Sequence, residues 1–299
     1  MSDRGTRRAA RLQATENAPP QKSHVTVLGG LKRLGIMLGG MIVLVLVVAG
    51  TQWLTGQRLP RWLEAGVVLL VALGTYALYV RLTERRAVDE LAPAPFAAQT
   101  PLGFAIGVAL FGTVIGLLAA AGDYHYLAYG SIPGLPAALA TTLTASALEE
   151  MLFRGFLFRI VASIGGTWIG VAVSAVVFGA LHAFNPHATV LSSVAIAIEA
   201  GALLAMAYAA TQRLWLPIGL HFGWNFTEGS IFGASVSGHP ASAGLIRGAL
   251  TGPDYLTGGA FGIEASALAV LVCSAATALF VIYAVRAGRV VPRPSNAAR

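Results

Sequence analysis

The sequence predicts an all-α protein: a polytopic bundle of about eight transmembrane helices with both termini in the cytoplasm. Only 11% of the 299 residues are charged and 56% are apolar, whereas a soluble domain has roughly a quarter of its residues charged. The apolar residues form runs near the roughly 20 residues that a helix needs to cross a bilayer. If the N-terminus is cytoplasmic, all but three of the 20 Lys and Arg residues lie inside, as the positive-inside rule predicts.

Eight segments approach the length and composition of a membrane-spanning helix. They are residues 34–54, 63–80, 101–121, 136–158, 164–182, 189–210, 214–232 and 265–285. The three basic residues that this topology leaves outside are Arg58, Arg61 and Arg247. The net charge of +7 is therefore mostly a topological signal, and we expect contact with the lipid bilayer and no binding to nucleic acid.

The chain divides into five regions by composition. Residues 1–30 mix Arg, Ala, Gln, Asn and Pro without apolar periodicity, which predicts a disordered basic cytoplasmic leader. Two transmembrane helices (31–82) and a membrane core (83–232) follow. Residues 233–260 are rich in Gly, Ser, Ala and Pro and predict an external loop. Residues 261–299 hold the last transmembrane helix and a basic cytoplasmic tail.

Ionisable residues within the apolar runs are the clearest functional signal. Each costs about 2.5–3.5 kcal/mol at a helix centre, so its presence needs a cause. The fourth segment places Glu149 beside Glu150, with Arg154 four residues after the second. Because Glu150 and Arg154 share a helix face, we expect an ion pair that leaves Glu149 free for chemistry. The alternative is a buried ionic cluster that only holds helices together.

Two further motifs supply imidazole and carboxamide groups. Phe178 and His182 share one face of the fifth segment, and His221 and Asn225 share one face of the seventh. With the two glutamates, these are the groups of a water-activating hydrolase. A glutamate accepts a proton from water, an imidazole orients that water, and N–H groups hold the oxyanion. The alternative for each motif is a hydrogen bond that only joins neighbouring helices.

The same residues also resemble a zinc site. Glu149, His182 and His221 are the candidate ligands, since two His and one Glu with an open position form a known catalytic set. The helical motif H-E-x-x-H of zinc peptidases is absent. The sequence leaves the cofactor open between zinc and none, and we slightly favour the metal-free mechanism.

The three motifs, in this order, resemble those of the CPBP family, which groups CAAX-processing endopeptidases with bacteriocin-processing or immunity proteins and is often described as intramembrane metalloproteases. They read Glu149-Glu150-x-x-x-Arg154, Phe178-x-x-x-His182 and His221-x-x-x-Asn225. The resemblance extends over residues 84–230. It implies a helical bundle with a cavity open towards the cytoplasm, in which Glu149 and His182 activate water. It further implies that His221 and Asn225 stabilise the oxyanion.

We therefore expect an endopeptidase that cuts membrane-associated peptides or proteins, placed in the plasma (inner) membrane if the source is bacterial. Two alternatives stay open: a proton-coupled transporter, and a non-catalytic scaffold or immunity factor. The sequence does not identify the substrate, whether it is prenylated, or the oligomeric state.

The remaining acidic residues have less specific interpretations. Glu199, in the middle of the sixth segment, either pairs with a neighbouring helix or with Arg154, or contacts substrate. Glu228 near a helix end and Glu264 beside an external loop are expected to take no part in the chemistry. From helix rise, His182 lies about 25 Å deep and the other site residues about 12–18 Å, so the fifth helix should begin after Ile164 or tilt strongly.

Overall fold

A computed structural model describes residues 27–56, 58–240 and 244–293 of the chain. The predicted all-α class is confirmed, because most of these residues are helical and the strands are limited to one two-stranded sheet. The first helix begins at Val27, four residues before the predicted boundary at residue 31. The rest of the predicted leader, residues 1–26, lies outside the described residues.

The helices of the described chain are joined by connections of different lengths, two of which contain a strand. They are α1 Val27–Thr55, α2 Arg61–Thr83, α3 Phe96–Ala121, α4 Leu135–Glu150, α5 Arg159–Gly165, α6 Thr167–His182, α7 Val190–Ile196, α8 Leu203–Thr211, α9 Trp215–Phe226, α10 Asp254–Thr257 and α11 Ala267–Arg286. Wider π-helical turns join α4 to α5 (Met151–Phe158) and α7 to α8 (Ala197–Ala202), and a third extends α9 (Thr227–Ile231). Short 3₁₀ turns lie at Asp89–Leu91 and Ile263–Ala265. The strands β1 Tyr124–Tyr129 and β2 Ile246–Leu250 are antiparallel.

The bundle presents an apolar surface to its surroundings. Within the described part of the chain, five helices are long and apolar enough to cross a membrane: α1, α2, α3, the continuous α7–α8 helix and α11. Leu46, Leu70 and Leu279 are each about two-thirds exposed. Such exposure is unfavourable in water but not against lipid tails. The protein is therefore an integral membrane protein.

The predicted fifth helix begins later than its sequence pattern indicated. Gly166 adopts a positive φ of 87° and ends α5, a conformation that glycine adopts without strain. The next helix, α6, starts at Thr167 rather than at residue 164. This late start is one of the two expected ways to reduce the calculated depth of His182.

Contacts between distant segments define the two ends of the bundle. One end, which we call the basic end, is defined by three hydrogen bonds. Arg33 donates to the carbonyl of Ser163, Arg159 donates to the Glu84 carboxylate, and the backbone N–H of Leu214 donates to the carbonyl of Glu90. The opposite end carries β1 and β2 and is called the sheet end. The loop region 233–260, predicted to be irregular, contributes β2 and α10 to the sheet end.

The segment after α2 is fixed to the bundle by an ionic network. Arg159 donates a hydrogen bond to the Glu84 carboxylate at 2.6 Å, and Arg86 donates to both Glu84 and Glu90. Tyr76 donates to Glu90 at 2.6 Å. Burial alone would raise the pKa of Glu84, but the guanidinium groups of Arg159 and Arg86 lower that pKa below its ordinary value. The segment 84–90 is thus a joint between α2 and α5.

The first two helices also pack on the centre of the bundle. The Tyr76 ring on α2 lies 4.8 Å from the ring of Phe156, measured between centroids, and its hydroxyl oxygen lies 3.1 Å from the carbonyl oxygen of Gly155. Both rings are fully buried. Helix α2 therefore packs against the π-helical turn Met151–Phe158, which directly follows Glu149 and Glu150.

Close approach of α3 and α9 sets the position of the third motif. Gly103 and Gly107 on α3 face Gly219 and Gly223 on α9, and a methyl group at Gly107 would overlap the carbonyl oxygen of Leu220. Small residues at such positions allow helix backbones to touch in a membrane. Because α9 carries the third motif, this contact fixes the height of the motif in the bundle.

Candidate functional site

Glu150 and Arg154 form an ion pair at the centre of the bundle. Arg154 Nη1 donates to Glu150 Oε1 at 2.8 Å, and both side chains are completely buried. Arg154 Nη2 donates to the carbonyl oxygens of Ala200 (3.2 Å) and Gly201 (3.0 Å) in the π-helical turn between α7 and α8. The guanidinium therefore joins two helices, and its charge is balanced by Glu150. Wide π-helical turns of this kind are frequent at functional sites.

Glu149 is oriented away from this pair. Its side chain is 35% exposed, yet its Oε2 atom is buried and has no hydrogen-bond partner among the described residues. This oxygen lies 3.9 Å from Nε2 of His221, which is longer than a hydrogen bond. Glu149 thus has a carboxylate oxygen available for an exchangeable proton.

His221 is held by the other glutamate. Its Nδ1 atom lies 3.1 Å from Glu150 Oε1, so the ring is fixed with Nε2 towards Glu149. With Nδ1–H donating to a carboxylate, Nε2 carries a proton only in the imidazolium form. The carboxylates of Glu149 and Glu150 lie on either side of this ring.

His182 lies at the end of α6 beside the same aromatic ring as Arg154. Its Nδ1 is 2.8 Å from the carbonyl oxygen of Phe178, which leaves Nε2 free. The Phe178 ring lies 4.5 Å from the His182 ring and 6.2 Å from the His221 ring, and the Arg154 guanidinium is 4.8 Å from its centre. Glu149 is close enough to interact electrostatically with His182. Phe178 therefore supports three charged or polar motif residues at once.

A small cavity joins the histidines to the carboxamide. Its volume is about 20 Å³, and His182, His221 and Asn225 line one side of it. This space is sufficient for one or two water molecules. Of the predicted catalytic residues, His182, His221 and Asn225 thus share one cavity. Glu149 and Glu150 do not line it, but they lie 3.9 Å and 3.1 Å from the His221 ring nitrogens.

The arrangement does not fit a metal centre. No three His, Cys, Asp or Glu side chains within the described residues are placed as ligands of one ion. Both histidines do hold Nδ1 on an oxygen atom, a pattern common in metal-ligating histidines. The candidate ligands Glu149, His182 and His221 nevertheless do not converge on one point, so no reaction step is assigned to a metal.

Three acidic residues of the membrane core are buried: Glu199, Glu228 and Glu264. Glu228 and Glu264 lie at a helix end and beside the loop, as expected, but both are buried, 0% and 2% exposed. Glu199 contacts the thiol of Cys273 on α11 and not Arg154, which agrees with the expected alternative of a contact with a neighbouring helix. The burial of Glu264 depends on the folding of the segment after residue 232, which no local pattern indicates. Trp224 and Glu228 lie four residues apart and therefore share one helix face. This spacing was the sequence signal that could have predicted the contact between them.

The fold and the site define an integral membrane protein with a buried glutamate and histidine centre. The sequence model of the family described as type II CAAX prenyl endopeptidase Rce1-like matches residues 130–227. The matched segment contains all three motifs, which confirms the resemblance of this part of the chain to the CPBP and CAAX-protease group. Comparison with curated proteins and with solved structures found no match.

Proposed function

We propose that the protein is an intramembrane endopeptidase that hydrolyses peptide bonds of membrane-associated substrates. One observation carries the proposal: Glu149 keeps a buried, unpartnered carboxylate oxygen beside His221, while the neighbouring Glu150 is neutralised by Arg154. The family assignment supports protease chemistry. The substrate class that follows from the family description is a prenylated peptide; a plain membrane-associated peptide is the alternative.

In the proposed reaction, Glu149 and His182 activate water. Glu149 accepts one proton from a water molecule whose position is set by the free Nε2 of His182, and the oxygen attacks the scissile carbonyl carbon. When the C–N bond breaks, Glu149 returns the proton to the leaving amine. General acid–base catalysis of this type contributes about 10²–10⁴-fold in rate.

The oxyanion is stabilised by His221 and Asn225. The Asn225 carboxamide donates one hydrogen bond, and the Nε2–H of the His221 imidazolium donates the other. Glu150 fixes the ring through Nδ1. Loss of one such donor costs about 2.7–4 kcal/mol of transition-state stabilisation.

We also propose that the basic end faces the cytoplasm, with both termini on that side and the catalytic cavity reached from it, and that a bacterial host would carry the protein in its plasma membrane. Of the described Lys and Arg residues, Lys32, Arg33, Arg81, Arg213 and Arg289 lie near the basic end, whereas Arg247 lies on β2. The positive-inside rule supports a cytoplasmic position of the basic end.

The test compares cleavage of fluorogenic peptides, prenylated and plain, by the wild type and Glu149→Gln in nanodiscs. Glu64→Gln, which changes an acid on α2 that does not line the catalytic cavity, is the matched control. We expect Glu149→Gln to reduce kcat/KM at least 100-fold and the control to leave it unchanged. Equal cleavage by the wild type and Glu149→Gln would contradict the assignment.

Metal dependence is measured on the same samples. Each protein is assayed with and without a strong chelator, and its metal content is determined. Under the proposed mechanism, cleavage survives chelation and no metal is present in stoichiometric amount. Activity lost on chelation and restored by zinc would replace this mechanism with a metal-dependent one. Glu149-dependent proton flux without cleavage would favour a transporter, and biological activity that survives Glu149→Gln would favour a scaffold or immunity factor.

A further inference from the structure

Three buried carboxyl groups form a cluster on the wall of the catalytic cavity. Glu199 comes from the turn between α7 and α8, Glu228 from the turn after α9, and Glu264 from the 3₁₀ turn before α11. Each is at most 2% exposed. We call these three residues the acidic cluster. Since they come from three separate elements, their proximity is a property of the tertiary fold.

The hydrogen bonds of the acidic cluster leave part of it unpartnered. Trp224 Nε1 donates to Glu228 Oε2 at 3.1 Å, and Glu264 contacts Ser237 and Glu228. The Oε1 atoms of Glu228 and Glu264 are buried and accept no hydrogen bond from any described residue. Both atoms therefore have unused acceptor capacity in a low-dielectric interior.

Within the described residues, no Lys or Arg forms an ion pair with the acidic cluster, although His221 interacts electrostatically with Glu264. The ion pairs of the bundle are those of Glu84, Glu90, Glu149 and Glu150, and none involves the cluster. Buried charges in membrane proteins are normally paired, because an isolated one costs several kcal/mol. A positively charged ligand would supply the missing partner.

The acidic cluster adjoins the proposed catalytic groups. Glu199 and Glu264 line the same cavity as His182, His221 and Asn225. A ligand group bound by the cluster would therefore lie within a few residues of a peptide bond held at the catalytic groups. This position is that of a substrate side chain near the scissile bond.

We propose that the acidic cluster is a specificity subsite for a Lys or Arg side chain of the peptide substrate. This inference rests on the proposed peptidase function and names a feature of its substrate. An ammonium or guanidinium group has three to five N–H donors and no acceptor, which matches a pocket of carboxylate oxygens. The cavity of about 20 Å³ is smaller than such a side chain, so binding requires displacement of the segment that carries Ser237 and Glu264.

Binding to a protein that does not turn over tests the subsite independently of catalysis. Two fluorescent peptides differ only in Lys or norleucine at one position, and that position is scanned along the peptide. Affinity is measured with Glu149→Gln protein in nanodiscs, and with the same protein carrying Glu264→Gln or Glu199→Gln. Glu64→Gln is again the matched control. The norleucine peptide keeps the length and apolar area of Lys and removes its charge.

We expect the Lys peptide to bind at least tenfold more tightly than the norleucine peptide at one scanned position. Glu264→Gln should abolish this difference, and Glu64→Gln should preserve it. Equal affinities at every position, no binding of either peptide, or a preference that survives both cluster substitutions would each overturn the subsite. Melting temperatures of the variants separate a lost subsite from a lost fold. Hydrolysis of neutral peptides without Lys preference would reject the subsite alone, whereas Lys-selective binding without hydrolysis would reject the peptidase alone.

Discussion

Glu149 and Glu150 are adjacent and chemically identical, yet the helix gives them different surroundings. Glu150 is completely buried between Arg154 and His221, whereas Glu149 is 35% exposed with one free oxygen. One carboxylate therefore stabilises the fold and orients a ring, and the other is available to a substrate. Substitution of each glutamate in turn should therefore separate the contribution of Glu150 to stability from that of Glu149 to the reaction.

We expect Glu150→Gln to destabilise the protein far more than Glu149→Gln. Removing the Glu150 charge leaves Arg154 buried without a counter-ion, a change that costs about 3–5 kcal/mol. Thermal unfolding of both variants in detergent measures the difference, and the two substitutions are isosteric controls for each other. Equal melting temperatures for the two variants would contradict the assigned environments.

At the residue scale, local spacing predicted part of the site. Helical periodicity places Glu150 and Arg154 on one face, and the structure puts them 2.8 Å apart. No such rule could predict that Glu150 also meets His221, because that contact joins helices 71 positions apart in sequence. The acidic cluster was missed for the same reason, since its three members lie on separate elements.

At the scale of elements, the α3–α9 contact determines where the third motif lies. Gly107→Ala would drive a methyl group into the backbone of α9. Overpacking of this kind costs about 1–3 kcal/mol, and we expect a lower melting temperature together with reduced peptide cleavage. Gly112→Ala is the matched control, because Gly112 lies on the same helix with no atom near the added methyl group. Equal effects of the two substitutions would show that the close contact does not matter.

The ionic joint between α2 and α5 predicts a pH dependence of stability. The folded-state pKa of Glu84 is lowered below its ordinary value of 4.5, so its stabilising contribution is complete above about pH 4.5 and is lost as the pH falls through the folded-state pKa. The melting temperature of the wild type should exceed that of Glu84→Gln at pH 7, and the gap should narrow below pH 4.5. A gap that is constant down to pH 3 would be inconsistent with this linkage.

Element boundaries were predicted less well than element types. The apolar runs located the helices correctly, because a helix that crosses the bilayer needs a long apolar run. The apolar pattern continued across Gly166, however, without a visible break. The break at Gly166 follows from its positive φ, a backbone property that hydrophobicity does not record. The sheet was not predicted either, because β1 and β2 are separated by more than 100 residues.

At the scale of the whole molecule, charge asymmetry and helix directions point to one membrane orientation. Helices of the described chain run alternately between the basic end and the sheet end. Arginine and lysine residues concentrate at the first, and the sheet contains Arg247. An electrostatic bias of this kind fixes orientation during insertion, and it can be tested without knowledge of the substrate.

Single-cysteine labelling tests the orientation directly. The natural Cys273 is buried, and its replacement by alanine leaves a background in which Arg247→Cys marks the sheet end and Ala287→Cys marks the basic end. Both positions are exposed. In intact cells, a membrane-impermeant maleimide should label Arg247→Cys and should reach Ala287→Cys only after lysis, because a charged reagent does not cross the bilayer. The reverse pattern would place the basic end outside and require the substrate to approach the catalytic cavity from the opposite side of the membrane.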